Sequence, residues 1–281
     1  MKELKHYHNG EILLESEITY SVNDVGLLRG YAVFDFFRIE GATPVFIEEH
    51  LDRFEHSAKG FDLAIPISRD EIKRVVSDLV QLNKLPTGTI KIILTGGDSV
   101  DGFTPGIPNM SILNKPISYP SESAYSEGAA LMLHEYQREF PGIKSTNYLT
   151  ALKLQKSWKA NGFIDVLYHS EDRVWEVSRS NVYFFKGNKL VTNKEGVLKG
   201  ITSSKVLEAC KGVFEIEVRP MGLEELMNAE EVFITSSTKL VMPIVRVGDK
   251  IIGTGKPGVK TERVRAAYND LLAKYIADNT N

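Results

Sequence analysis

A single cysteine, Cys210, among 281 residues excludes an intramolecular disulfide and any site built on several thiolates, so nothing points to an oxidising compartment. No apolar run approaches the ~18 residues of a membrane span. The opening Met-Lys-Glu-Leu-Lys-His-Tyr-His lacks the apolar core of a secretion signal, and a cytoplasmic protein is expected. Neither sign of charge dominates: 34 basic against 37 acidic residues leave a formal net charge of −3. That balance gives no electrostatic case for nucleic acid or an anionic membrane as the main partner, and a small ligand is expected instead. Paired cysteines, Gly-x-Gly-x-x-Gly, a Walker loop and Gly-x-Ser-x-Gly are all missing, which removes the usual signatures of dinucleotide folds, nucleotide triphosphate chemistry and α/β-hydrolases. The six histidines are scattered, and only His6-x-His8 has a spacing for one strand face, so no metal site is expected.

What is present describes a folded protein of two domains, with 42% hydrophobic and 25% charged residues. Asn9-Gly10 between short apolar runs predicts a hairpin. Val33–Phe37 and Pro44–Ile47, separated by Glu40-Gly41, read as a second strand pair. Ser68-Arg69-Asp70-Glu71 is a capping box, followed by Ile72, Val75, Val76 and Leu79 at helical spacing. Strands are expected at 89–95 and 110–113. The polar stretch with two prolines between Asn114 and Gly128 predicts a linker at 115–127, dividing a domain at 1–114 from one at 128–281. In the second domain strands are expected at 129–135, 163–169, 173–178, 181–186, 214–219, 231–236 and 240–247, and helices at 147–160, 202–211, 222–228 and 258–277. This mixed order argues for an α+β class.

Several segments have both a plain and a chemical reading. Gly200-Ile201-Thr202-Ser203-Ser204 opens a helix, where free N–H groups and hydroxyls suit either an ordinary N-cap or a phosphate. Thr235-Ser236-Ser237-Thr238 ends an apolar strand and offers a second row of hydroxyls. Arg53 lies in a predicted helix and reads as a solvated cation. Lys144 stands at a loop-to-helix boundary, where it is either a surface charge or, if buried, a Schiff-base amine. Glu176 reads as a solvated strand end.

Taken in order, His50-Leu51-Asp52-Arg53-Phe54, Ile143-Lys144-Ser145-Thr146-Asn147-Tyr148, Glu176 with Ser180-Asn181-Val182, Leu198-Lys199-Gly200-Ile201-Thr202 and Thr235-Ser236-Ser237 resemble the class IV aminotransferases, which are pyridoxal 5′-phosphate (PLP) enzymes of fold type IV. The resemblance spans nearly the whole chain. It implies a smaller N-terminal α/β sandwich-like domain, a larger C-terminal barrel-like domain and a homodimer. It also implies that Lys144 carries PLP as an internal aldimine and then moves the substrate proton, while Glu176 pairs with the pyridinium nitrogen. Arg53, Ile201, Thr202, Ser236 and Ser237 would hold the phosphate, and Tyr148 the phenolic oxygen.

Within the family, Lys144-Ser145-Thr146-Asn147 and Glu176-Val177-Ser178-Arg179-Ser180-Asn181 look like the D-amino-acid transaminase and aminodeoxychorismate lyase branches. The resemblance therefore implies transfer between a D-amino acid and a 2-oxo acid such as 2-oxoglutarate by a ping-pong mechanism. A branched-chain L-amino-acid transaminase is the alternative, because Arg38 follows Phe34 as in that branch, and a lyase releasing pyruvate is the third reading. The Arg-x-His pair with which D-amino-acid enzymes trap the α-carboxylate is replaced by Asp101-Gly102-Phe103. Arg29, Arg179 and Lys239 stand in site segments and are the candidate replacements, with Phe34 and Thr238 as further substrate contacts.

Overall fold

The Asn9-Gly10 turn closes a hairpin between β1 (Lys5–His8) and β2 (Glu11–Leu14), with both residues at positive φ as the spacing predicts. The computed structural model describes residues 3–280. It divides into two compact units: one holds the chain up to Ser118 together with Ile143–Asn147 and the segment from Tyr275, and the other holds Tyr119–Gly142 and Tyr148–Lys274. Two stretches that follow the expected linker therefore belong with the first unit. The expected linker is itself not featureless, since it contains the short helix Ser123–Ser126.

The first unit continues with α1 (Val25–Arg29), β3 (Ala32–Glu40), β4 (Thr43–Pro44), α2 (Ile47–Gly60), α3 (Arg69–Asn83), β5 (Gly88–Thr95) and β6 (Met110–Lys115). Its sheet runs β2-β1-β6-β5-β3-β4, antiparallel at every pairing. The strand expected at 44–47 is cut to two residues. Phe46 turns to φ 54° as a buried N-cap, and Ile47 already starts α2. α3 begins where the capping box places it, with the Ser68 hydroxyl accepting the Glu71 N–H. Its buried residues are Ile72, Val75, Val76, Leu79 and Val80, each contributing about 1.5–3 kcal/mol of burial where the side chain is fully enclosed. On β3 the alternation puts Val33, Asp35, Phe37 and Ile39 on one buried face and leaves Phe34 and Phe36 half-buried on the other.

The second unit contains α4 (Ser123–Ser126), β7 (Ala129–Glu135), α5 (Leu149–Ala160), β8 (Asp165–Ser170), β9 (Arg173–Val177), β10 (Asn181–Lys186), β11 (Lys189–Thr192), α6 (Ile201–Ala209), β12 (Glu215–Val218), β13 (Met221–Gly222), α7 (Leu223–Met227), β14 (Glu231–Ser236), β15 (Leu240–Val247), β16 (Lys250–Ile251) and most of α8 (Val259–Asn279). The strands form one curled mixed sheet, β12-β11-β10-β14-β15-β7-β8-β9-β13, with β16 added beside β15. β7 pairs in parallel with both β15 and β8. An apolar cluster including Leu131, Leu167, Val182, Phe184 and Ile234 fills one core, and Trp158, Tyr168 and Trp175 form another. The α+β class expected from the mixed order of elements holds.

Candidate active site

Lys144 is fixed through its backbone. Residues 144–146 run beside the start of β3 and meet it at an isolated bridge: the Phe34 N–H donates to the Lys144 carbonyl at 2.9 Å, the Thr146 N–H donates to Ala32 at 3.0 Å, and Ser145 bridges Val33. The Lys144 N–H donates to Ser57 Oγ on α2 at 3.1 Å. The side chain is half-buried, with Nζ 4.5 Å from the centre of the Phe34 ring, within cation–π range. In place of a solvated surface lysine, the structure shows a half-buried side chain on an anchored backbone.

Arg53 is also not a solvated cation. It and His50, one helical turn apart on α2, both reach Asp35, which β3 parity sends into the core. Arg53 Nε donates to Asp35 Oδ2 and Nη2 to Oδ1, each at 2.8 Å, and His50 Nδ1 lies 2.7 Å from Oδ1. Burial alone would raise the Asp35 carboxyl, yet the Arg53 and His50 charges carry it well below the ordinary carboxylate range. Burial lowers the His50 imidazole against the opposing pull of Asp35.

Arg29, at the exposed end of α1, donates from Nε to the Gly102 carbonyl at 3.2 Å. It therefore stands at the loop where the Arg-x-His pair is missing. Asp101 in that loop accepts from the Phe103 and Thr104 N–H groups and from the Thr104 and Ser99 hydroxyls, and these bonds, led by the Thr104 N–H, hold its carboxyl low.

In the second unit Glu176 is buried on β9 rather than solvated at a strand end. Its Oε1 lies 3.1 Å from Arg138 Nε, and its Oε2 accepts the Leu198 N–H at 3.1 Å. Leu198 begins the approach to α6, and its carbonyl accepts Asn181 Nδ2 at 2.7 Å. Gly200 caps α6 so closely against Asn181 that a Cβ there would meet Asn181 Oδ1 at 2.1 Å. The first turn of the helix, with half-buried Ile201 and buried Thr202, is thereby tied to the strands carrying Glu176 and Asn181. Ser236, Ser237 and Thr238 form a half-buried turn after β14, in which Ser236 Oγ accepts the Lys239 N–H at 3.2 Å. Tyr148 immediately precedes α5 and packs on the Trp158–Trp175 cluster.

Lys239 is enclosed. Its Nζ donates to Asp165 Oδ2 at 3.0 Å and to Ser180 Oγ at 3.2 Å. Burial lowers its pKa against the attraction of Asp165. Arg179, whose side chain is 53% exposed, reaches the same Oδ2 at 3.2 Å through Nη2. Sequence reasoning passes over Asp35, Arg138 and Asp165. The parity of β3 marks Asp35, while Arg138 in the polar run Gln137-Arg138-Glu139 carries no such signal.

Residues 32–247 match the family model for amino-transferase class IV. The chain belongs to that family. It is 29% identical to the D-alanine aminotransferase of Bacillus licheniformis over 96% of this chain and 98% of that one. It is 27% identical to a putative branched-chain-amino-acid aminotransferase of Methanocaldococcus jannaschii over 97% and 98% of the two chains. An aminodeoxychorismate lyase of Bacillus subtilis is also among its relatives. The fold superposes on the Escherichia coli branched-chain amino acid aminotransferase with a TM-score of 0.89, at 23% identity and covering 96% of this chain and 95% of that one. Class IV aminotransferases use PLP. Among the described residues no cluster of metal-ligating side chains occurs, and no helix is long and apolar enough to cross a membrane.

Proposed function

We propose that this class IV aminotransferase transfers the amino group of a D-amino acid to a 2-oxo acid such as 2-oxoglutarate in two half-reactions. The observation that carries the reading is the anchorage of Lys144, whose backbone is bonded on both sides while its amine lies against the Phe34 ring. The likeness to D-alanine aminotransferase across 96% of the chain supports the D-amino-acid branch.

The donor set fits PLP. It offers an amine on Lys144, a buried carboxylate on Glu176, a preset guanidinium on Arg53, the first turn of α6 at Ile201 and Thr202, and the hydroxyls of Ser236 and Ser237. Bound PLP supplies an aldehyde that takes the amino group and a ring that accepts electron density from the substrate Cα. Lys144 Nζ holds the cofactor and moves the Cα proton. Glu176 holds a proton on the ring nitrogen, and Arg138 and the Leu198 N–H keep its carboxylate in place. By the family resemblance Arg53, one edge of whose guanidinium is fixed by Asp35, would bind phosphate, and so would the N–H groups of the first turn of α6. Tyr148 would hydrogen-bond the phenolic oxygen, Phe34 and Thr238 are the further substrate contacts that the resemblance implies, and the proposed active form is a homodimer.

One observation favours the branched-chain reading. Arg38, on the same strand as Phe34, is 4% exposed and pairs with Glu40, and its Nη2 has no hydrogen-bond partner among the described residues. Visible spectra of the PLP-loaded protein, taken after D-alanine, D-glutamate, L-leucine or aminodeoxychorismate without acceptor, separate the readings. Conversion to the pyridoxamine form by a D-amino acid is expected. Conversion by L-leucine alone would move the protein to the branched-chain class, and pyruvate release from aminodeoxychorismate would make it a lyase.

A further inference from the structure

Asp165 opens β8 with a carboxylate that is fully buried, and it gathers groups from two separate turns. From the turn between β14 and β15 comes Lys239 Nζ at 3.0 Å. From the turn between β9 and β10 come Arg179 Nη2 at 3.2 Å and the Ser178 hydroxyl. Lys239 also reaches across to Ser180 Oγ, and Tyr125 on α4 donates to the Lys239 carbonyl at 3.1 Å. Two cations thus share one anion, which leaves the cluster one positive charge in excess. They differ in access. The Lys239 side chain is 11% exposed and its amine already donates to Asp165 and Ser180, whereas the Arg179 guanidinium is 53% exposed and makes no other hydrogen bond or ion pair among the described residues.

Resting on the aminotransferase reading, we propose that Asp165, neutralised by Lys239, is a positioning residue that aims Arg179 to receive the carboxylate of the amino-acid and 2-oxo acid substrates. A guanidinium held at one nitrogen by a buried carboxylate keeps its remaining N–H donors for a second carboxylate, in the planar geometry that a flexible ammonium cannot offer. Arg179 lies three residues beyond Glu176, on the turn that joins β9 to β10. Arg29, the other accessible candidate, is bonded to the Gly102 and Leu28 carbonyls and meets no carboxylate among the described residues. Lys239 therefore leaves the set of substrate contacts and becomes the internal counter-charge.

The test is a double-mutant cycle on the PLP-loaded protein, using whichever of D-alanine and L-leucine the wild type converts. Arg179→Ala is expected to raise KM about 10- to 100-fold, with kcat changed far less and the visible cofactor band retained. Asp165→Asn is expected to raise KM in the same way, and the double variant to be no worse than Arg179→Ala, because one residue acts through the other. Added guanidinium ion should lower the KM of Arg179→Ala. Where Asp165→Asn does not fold, Asp165→Glu, which keeps the charge and moves it by one methylene, takes its place in the cycle. An unchanged KM in Arg179→Ala, additive effects, or loss of the cofactor band in Arg179→Ala would overturn the inference. A wild type that converts no amino acid would instead overturn the aminotransferase reading on which it rests.

Discussion

Asp35 is a carboxylate inside an apolar sheet, which is tolerable only while its partners remain. Replacing it with Asn keeps the shape and removes the charge that fixes Arg53. Asp35→Asn is expected to weaken PLP binding about tenfold, read by titrating the visible absorbance, whereas Lys144→Ala should abolish the lysine-bound absorbance altogether. Asp35 and Asp165 also set an acid limit on stability. Both are held below their unfolded values, Asp165 by Lys239 and Arg179 against its burial, so the unfolded chain binds the proton first as pH falls. Their stabilisation is complete above about pH 4 and is lost below it. His6, His8 and His50 are lowered, in each case chiefly by burial, and the unfolded chain therefore gains protons on them below about pH 6.5. The urea midpoint should begin to fall below that pH and drop again below 4, and Asp35→Asn should reduce the second drop. At this scale motif order singles out the lysine, the glutamate and Arg53 as candidates, and strand parity sends Asp35 into the core. Arg138 and Asp165 were not, because their roles depend on which distant turns meet them.

Among the elements, the loop into α6 carries the tightest requirement. Its Gly200 has room for hydrogen only, since a methyl group would collide with Asn181, whose amide also holds the Leu198 carbonyl. Gly200→Ala is expected to cost about 1–3 kcal/mol in thermal or urea unfolding and to weaken phosphate binding, because the first turn of α6 shifts with it. The start of helix α3 and its buried face were legible, since its cap and its apolar spacing agree locally. The junction of β4 and α2 was not, because Phe46 takes a left-handed conformation that its side chain disfavours and only burial in the folded unit sustains. The strand-like run at 144–146 was read as a loop. Its partners on β3 lie more than 100 residues away, and no local periodicity records such a pairing.

For the whole molecule, the order of strands and helices was enough to give the class, and motif order enough to give the family. The membership of the two units was not, since it follows from long-range pairing. The proposed homodimer predicts a mass near twice 31.4 kDa in sedimentation equilibrium. In the first unit Val100, Phe103 and Ile107 are 102%, 76% and 87% exposed on one loop, an apolar surface that a second copy would cover. Phe103→Asp is therefore expected to shift the protein toward the monomer, and an unchanged mass would place the interface elsewhere.

The run at 144–146 that borders β3 also governs the order of events on the ribosome. A nascent chain that has released only its first 118 residues lacks that border, because Lys144 has not yet emerged. The first unit cannot close its sheet edge until the following segment of the second unit, Tyr119–Gly142, has also emerged, and its last described turn arrives only with the final residues. At about 5–20 residues per second, the stretch from Ser118 to Thr146 takes roughly 1–6 seconds to follow, and during that time the start of β3 is open to pairing with a neighbour.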